Sequence, residues 1–225
     1  DVAGFISHGN YGSFFGPTVD FEADGNAGFC PAFNPDTYNQ DECFIDGDAG
    51  LTIPDAFTIV GPVGSETVIP CDADHTGPLG TVCTDITWGV DIDIEVHNNR
   101  PDQQQVYFNL LIDWNQDGKW QDASYCGADA VPEHVVANYV IPGPFDGPVS
   151  ALLGGTTFKI GPNPGYVWAR FSLTDEPVID DWNGEGEFMD GETEDYLLLI
   201  EDLQPEEYDW GDAPDDPYPT LSANN

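Results

Sequence analysis

The chain reads as an all-β protein, an antiparallel β-sandwich of jelly-roll or Greek-key type. Three observations carry this: short apolar runs with strand periodicity, proline- and glycine-rich turn signals between them, and no segment bearing a helical stripe. Hydrophobic residues make up 40% of the 225 and aromatics 12%, which is enough for a sizeable core and too much for a disordered acidic chain.

Residues 1–55 are rich in Gly, Asp, Asn, Pro and aromatics with little periodicity, and an irregular lobe held by turns, disulfides and metals is expected there. Residues 56–203 are expected to form the sandwich. In Ile86–Val96 the apolar Ile86, Trp88, Val90, Ile92, Ile94 and Val96 alternate with Thr87, Gly89, Asp91, Asp93 and Glu95. That period of two puts one face in the core and the other in water. Val106–Ile112 is almost continuously apolar, as in a strand covered on both faces. His134–Ile141, Thr156–Ile160, Tyr166–Leu173 and Tyr196–Ile200 supply further strands, separated by turns such as Pro142-Gly143-Pro144 and Gly161-Pro162-Asn163-Pro164. Residues 204–225 are acidic, carry Pro205, Pro214, Pro217 and Pro219, and read as a tail or inter-repeat linker.

Four Lys+Arg stand against 42 Asp+Glu, a formal net charge of −38. Such a chain repels itself at neutral pH, so bound divalent cations, high external salt or both are expected to offset the repulsion. Four cations build no basic patch, which excludes nucleic acid and anionic membrane surfaces as partners. No apolar run is long enough to insert in a membrane as a helix. The chain begins at Asp1 and is expected to be a segment whose leader was removed.

Five cysteines fit an oxidising compartment outside the cell. The economical pairing joins neighbours, Cys30 with Cys43 and Cys71 with Cys83, and leaves Cys126 as a buried small residue or an intermolecular link.

The sharpest local signal is Asp113-Trp114-Asn115-Gln116-Asp117-Gly118-Lys119-Trp120-Gln121-Asp122. Asp, Asn and Asp at positions 1, 3 and 5 with Gly at 6 is the ligand order of a calcium loop, in which alternate side chains of a tight curl point inward. The carbonyl of Lys119 is the expected backbone ligand. Position 12 is Ser124, not Glu, so the bidentate carboxylate is expected from Asp122 or from elsewhere in the fold. Hard oxygen donors in this number suit Ca²⁺ over Mg²⁺. A polar hairpin turn would use similar residues. A weaker echo lies in Asp20, Glu22, Asp24 and Asn26, with Asp46 and Asp48 able to complete it; a solvated acidic loop fits the same residues.

Arg170 sits in an apolar strand and needs a carboxylate partner, for which Glu192 or Glu194 is the natural candidate. No nucleophile elbow, HExxH or phosphate-cradling loop occurs, and His8, His75, His97 and His134 form no spaced cluster. A non-enzymatic role is expected.

Val167-Trp168-Ala169-Arg170-Phe171 followed by Gly191-Glu192-Thr193-Glu194-Asp195-Tyr196 resembles the GEVED domain, with Thr193 in place of the signature Val. The resemblance spans residues 86–200 in outline. It implies β-structure, a DxNxDG calcium loop and a place at the cell exterior, in secreted surface proteins that often carry tandem units; it implies no reaction. Asp209-Trp210-Gly211-Asp212-Ala213-Pro214 resembles the joint that leads into a following unit.

The expected function is thus that of an extracellular calcium-binding structural or assembly domain of a surface protein or filament. Its partners would be copies of itself or neighbouring repeats. The apolar Val2–Phe15 has no obvious partner in its own neighbourhood, and the tail offers Tyr208, Trp210, Tyr218 and Leu221 as anchors for head-to-tail docking; a disordered linker fits the tail equally. The alternative is an adhesion module that binds proteins or glycans through exposed Trp114, Trp120, Trp182 or Trp210.

Overall fold

The computed structural model describes residues 6–19, 50–54, 56–60, 62, 64–71 and 77–202. In chain order its first strands are β1 (Ile6–His8), β2 (Ser13–Phe15), β3 (Leu51–Ile53), β4 (Phe57–Val60), β5 (Thr67–Pro70) and β6 (Gly80–Thr81). Then come β7 (Asp85–Thr87), β8 (Asp93–Asn98), β9 (Val106–Ile112), β10 (Ala123–Cys126), β11 (Asp129–Pro132), β12 (His134–Ile141) and β13 (Phe145–Pro148). A single helical turn, α1 (Ser150–Leu153), precedes β14 (Thr157–Lys159), β15 (Gly165–Thr174), β16 (Gly186–Phe188) and β17 (Gly191–Glu201).

The larger sheet runs β12-β9-β15-β17-β4-β5, with β6 joined to β17. The smaller runs β13-β8-β2, with β3 also on β8. The chain is all-β, and the two sheets form a sandwich whose inner faces share one core. Ile94 and Val96 of β8 meet Phe108 and Leu110 of β9, Ala169 and Phe171 of β15, and Tyr196 and Leu198 of β17. Phe15 of β2 is fully buried between the sheets, edge-on to Phe108 at 6.2 Å and to Phe171 at 6.5 Å. Truncating a phenylalanine so placed costs about 3–5 kcal/mol.

β2 and β3 are two halves of one composite edge. Gly16 N–H donates to the Glu95 carbonyl at 3.1 Å, and Glu95 N–H donates to the Gly50 carbonyl at 2.8 Å. A β-carbon on Gly50 would stand 2.7 Å from Gly16 N, so glycine alone permits this approach.

Several expectations change. The alternating segment Ile86–Val96 is interrupted: Gly89 takes a positive φ of 81°, and Val90 swings out at a tight turn between β7 and β8. Its other apolar residues are buried as the period requires, but Val90 is 68% exposed. The last strand starts at Gly191, five residues before Tyr196, and so includes the whole acidic motif. Strands β1, β2 and β3 come from the stretch expected to be an irregular lobe, yet pair with β16 and β8. Ile6 and Phe15 are buried in the molecule's own cores, so the described part of this apolar segment, from Ile6 on, packs within the molecule.

The disulfide pairing also differs. Cys83 is bonded to Cys126, with Cα atoms 5.4 Å apart, where Cys71–Cys83 and an unpaired Cys126 were expected. The sandwich brings the β10 tip beside the turn before β7, so spatial neighbours 43 residues apart win over sequence neighbours. Cys71 is disulfide-bonded as well. Cys30, Cys43 and the residues beyond 202 lie outside the described residues. Among the described residues no helix is long and apolar enough to cross a membrane.

Candidate metal centre

β9 delivers Asp113 to the mouth of the loop, where its N–H donates to the Trp168 carbonyl of β15 at 3.1 Å. The side chain is nearly buried and curls the loop around itself. Oδ1 accepts Asp117 N–H at 3.1 Å and Oδ2 accepts Gly118 N–H at 2.9 Å. Asn115 Oδ1 also accepts from Asp117 N–H at 2.9 Å, and Asp117 Oδ1 accepts Lys119 N–H at 3.0 Å. Gly118 has φ +79°, which is why glycine stands there. The Lys119 ammonium is 69% exposed and lies 3.8 Å from Asp117. It is a screened surface pair of little energetic weight.

The carboxylate that closes the loop is Glu133, a residue the sequence reasoning passed over. Its side chain is wholly buried. One oxygen accepts Asn115 N–H at 3.3 Å and the other accepts Asp122 N–H at 3.0 Å. Its backbone ties both ends of the loop, since Ile112 N–H donates to its carbonyl at 2.9 Å and its own N–H donates to Asp122 O at 3.1 Å. Burial pushes its pKa above the ordinary carboxylate value. The N–H groups of Asp122 and Asn115 oppose that shift, and the negative charges of Asp113 and Asp117 add to it. Asp122, the nearer candidate in sequence, turns its side chain to solvent.

The side-chain donors gathered at the loop are all hard oxygens. Among the described residues no three acidic, histidine or cysteine side chains stand at metal-holding separation. The loop oxygens are instead turned onto its N–H groups, and each carboxylate keeps lone pairs beyond those bonds. The second, weaker set of Asp20, Glu22, Asp24, Asn26, Asp46 and Asp48 lies outside the described residues.

Arg170 connects this loop to the family motif. Its guanidinium forks onto Asp195, bonds the Gly184 carbonyl at 3.0 Å, and lies 5.5 Å from the centre of the Trp120 ring. The expected fork with Glu192 or Glu194 is corrected by strand register. Arg170 stands directly opposite Asp195, on the outer face of the larger sheet, and side chains alternate along β17. Glu192 and Glu194 therefore point to the inner face. There Glu192 accepts Phe15 N–H at 2.6 Å, and Glu194 accepts from Gly50 N–H and the Tyr196 hydroxyl. Asp190 accepts Gly12 N–H, Ser13 N–H and the Ser13 hydroxyl. The acidic motif is thus a row of acceptors that holds the N-terminal strands on the sandwich. Its acids are structural groups: Glu192 and Glu194 accept backbone N–H groups of the N-terminal strands, and Asp195 takes the Arg170 guanidinium.

Of the tryptophans named above as a binding platform, Trp114 and Trp182 are buried, and Trp120 is half-buried against Arg170. Trp210 lies outside the described residues.

Residues 107–199 match the family model of the GEVED domain. No curated protein and no solved structure matches the chain.

Proposed function

We propose, for a chain whose residues 107–199 carry a GEVED domain, an extracellular, calcium-binding structural or assembly role without catalysis. The observation that carries this reading is Glu133. A fully buried carboxylate closes the tightly curled loop, its pKa raised by burial and further by the negative charges of Asp113 and Asp117, and a divalent cation would relieve both. In this reading Asp113, Asn115 and Asp117 supply side-chain oxygens, Lys119 its carbonyl, and Glu133 the bidentate carboxylate.

The net charge of −38 and the oxidised cysteines support a place outside the cell. Copies of the chain or neighbouring repeats are the partners that a structural role requires. Burial of Trp114 and Trp182 favours this role over adhesion to glycans.

Thermal unfolding after chelation, with calcium added back, tests the reading. A ligand that binds only the native state at about 100 times its Kd adds about 2.7 kcal/mol. The melting temperature should rise with calcium, and the same melting curve with and without chelator would overturn the proposal.

A further inference from the structure

Asp122 and Glu133 flank the hairpin β10–β11, whose strands pair from Ala123↔Pro132 to Cys126↔Asp129. The closing carboxylate of the candidate site is therefore presented by the far leg of a two-stranded ribbon. Such a ribbon is marginally stable by itself. Tyr125 is 63% exposed, and Asp129 and Ala130 are exposed too, so the outer half gains little from packing. Near the base, Val131 reaches the main core and Trp114 Nε1 donates to the Pro132 carbonyl at 3.1 Å.

At the tip, the Cys83–Cys126 bond fastens the ribbon to the turn before β7. That turn is itself anchored, because Val82 N–H donates to Glu201 O at 3.0 Å and Cys83 N–H donates to Gly161 O at 3.3 Å. The ribbon is held at both ends, by backbone bonds at its base and by a covalent staple at its tip.

We propose that the Cys83–Cys126 disulfide is a positioning element for the ion site: by pinning the β10–β11 ribbon it holds Glu133 in the place where it closes the loop. This rests on the calcium reading. Neither cysteine touches the ion. They act through the ribbon, much as outer-shell partners fix the ligand of a metal site.

The test compares calcium titrations of the native chain, the double variant Cys83→Ser/Cys126→Ser and the single variant Cys71→Ser, with hydrogen exchange at residues 123–132 followed in parallel. Cys71→Ser also removes a disulfide, but one that is not on the ribbon. The native chain and Cys71→Ser should bind alike. The double variant should bind about ten-fold more weakly or worse, a loss of the size seen when outer-shell partners are removed, and its ribbon amides should exchange faster. If the double variant does not fold, the same titration is run on folded native protein after mild thiol reduction, with Cys71→Ser reduced in parallel. Equal affinity in the native chain and the double variant would overturn the positioning role and leave the calcium reading standing. An equal loss in Cys71→Ser would also overturn it, by tracing the effect to global stability. No binding by the oxidised native chain would remove the calcium reading itself.

Discussion

Arg170 and Asp195 lie directly opposite each other on β15 and β17, and the guanidinium closes on the carboxylate with bonds of 2.7 and 2.5 Å. Their side chains are 9% and 31% exposed. Asp195→Ala should therefore leave a buried guanidinium short of its main acceptor and lower stability by about 3 kcal/mol, the low end for a broken buried pair because Asp195 is partly wet. Arg170→Met, which removes the charge along with its need for a partner, should cost less. Denaturant unfolding of both variants checks the order, and an equal or larger loss in Arg170→Met would refute it.

Calcium dependence should follow the loop acids and Glu133, not Asp122. Glu133→Gln and Asp117→Ala should each abolish most of the calcium-induced rise in melting temperature. Asp122→Ala should preserve it, because Asp122 contributes its N–H to Glu133 while its side chain faces solvent. Differential scanning calorimetry with and without chelator reads all three. Loss of the shift in Asp122→Ala alone would reassign the closing carboxylate.

Acid should loosen the N-terminal strand through His8. Burial lowers its pKa from 6.5 to about 4, against the opposing pull of the nearby Asp190 and Asp175. Its Nε2 meets the Thr193 hydroxyl at 3.0 Å and its ring stacks on Phe188. Between pH 6.5 and about 4 the unfolded chain holds a proton that the folded chain refuses. This group's contribution to stability therefore falls as pH drops through that window, by about 1.4 kcal/mol per unit, and is flat above it. His8→Gln should show a correspondingly shallower decline than the native chain, measured by urea unfolding at each pH. Parallel curves would show that His8 titrates normally.

Peptide mapping without reduction should recover Cys83 joined to Cys126. A Cys71–Cys83 peptide would contradict the fold around β10.

Strand positions were legible where local pattern and tertiary environment agree. Val106–Ile112 and His134–Ile141 are strands with the bounds read from the sequence, because a doubly covered strand must be apolar throughout and the edge strand beside it is a β-branched- and aromatic-rich run. The loop Asp113–Gly118 was legible for a similar reason: its geometry is built from residues within six positions of each other. Val90 was misread because a turn at Gly89 leaves periodicity intact on both sides while reversing the chain between them. Glu133 had no local signal, since a ten-residue ribbon separates it from Asp122 and it is one acid among 42 acidic residues. The Asp195 partner of Arg170 was hidden for a subtler reason. Choosing among Glu192, Glu194 and Asp195 requires knowing which face of β17 each occupies, and that is fixed only by register with β15.

The meeting of Gly16 and Gly50 at Glu95 has a consequence for how this fold can vary. Gly16 and Gly50 meet at one point on β8, so the two ends of the connection between them are held together by the pairing of β2 and β3 with that strand. Lengthening an excursion whose ends are already joined adds only about 0.6 kcal/mol per doubling of its length. Sequences built on this frame are free to vary the length of that connection while β2 and β3 keep their places on β8.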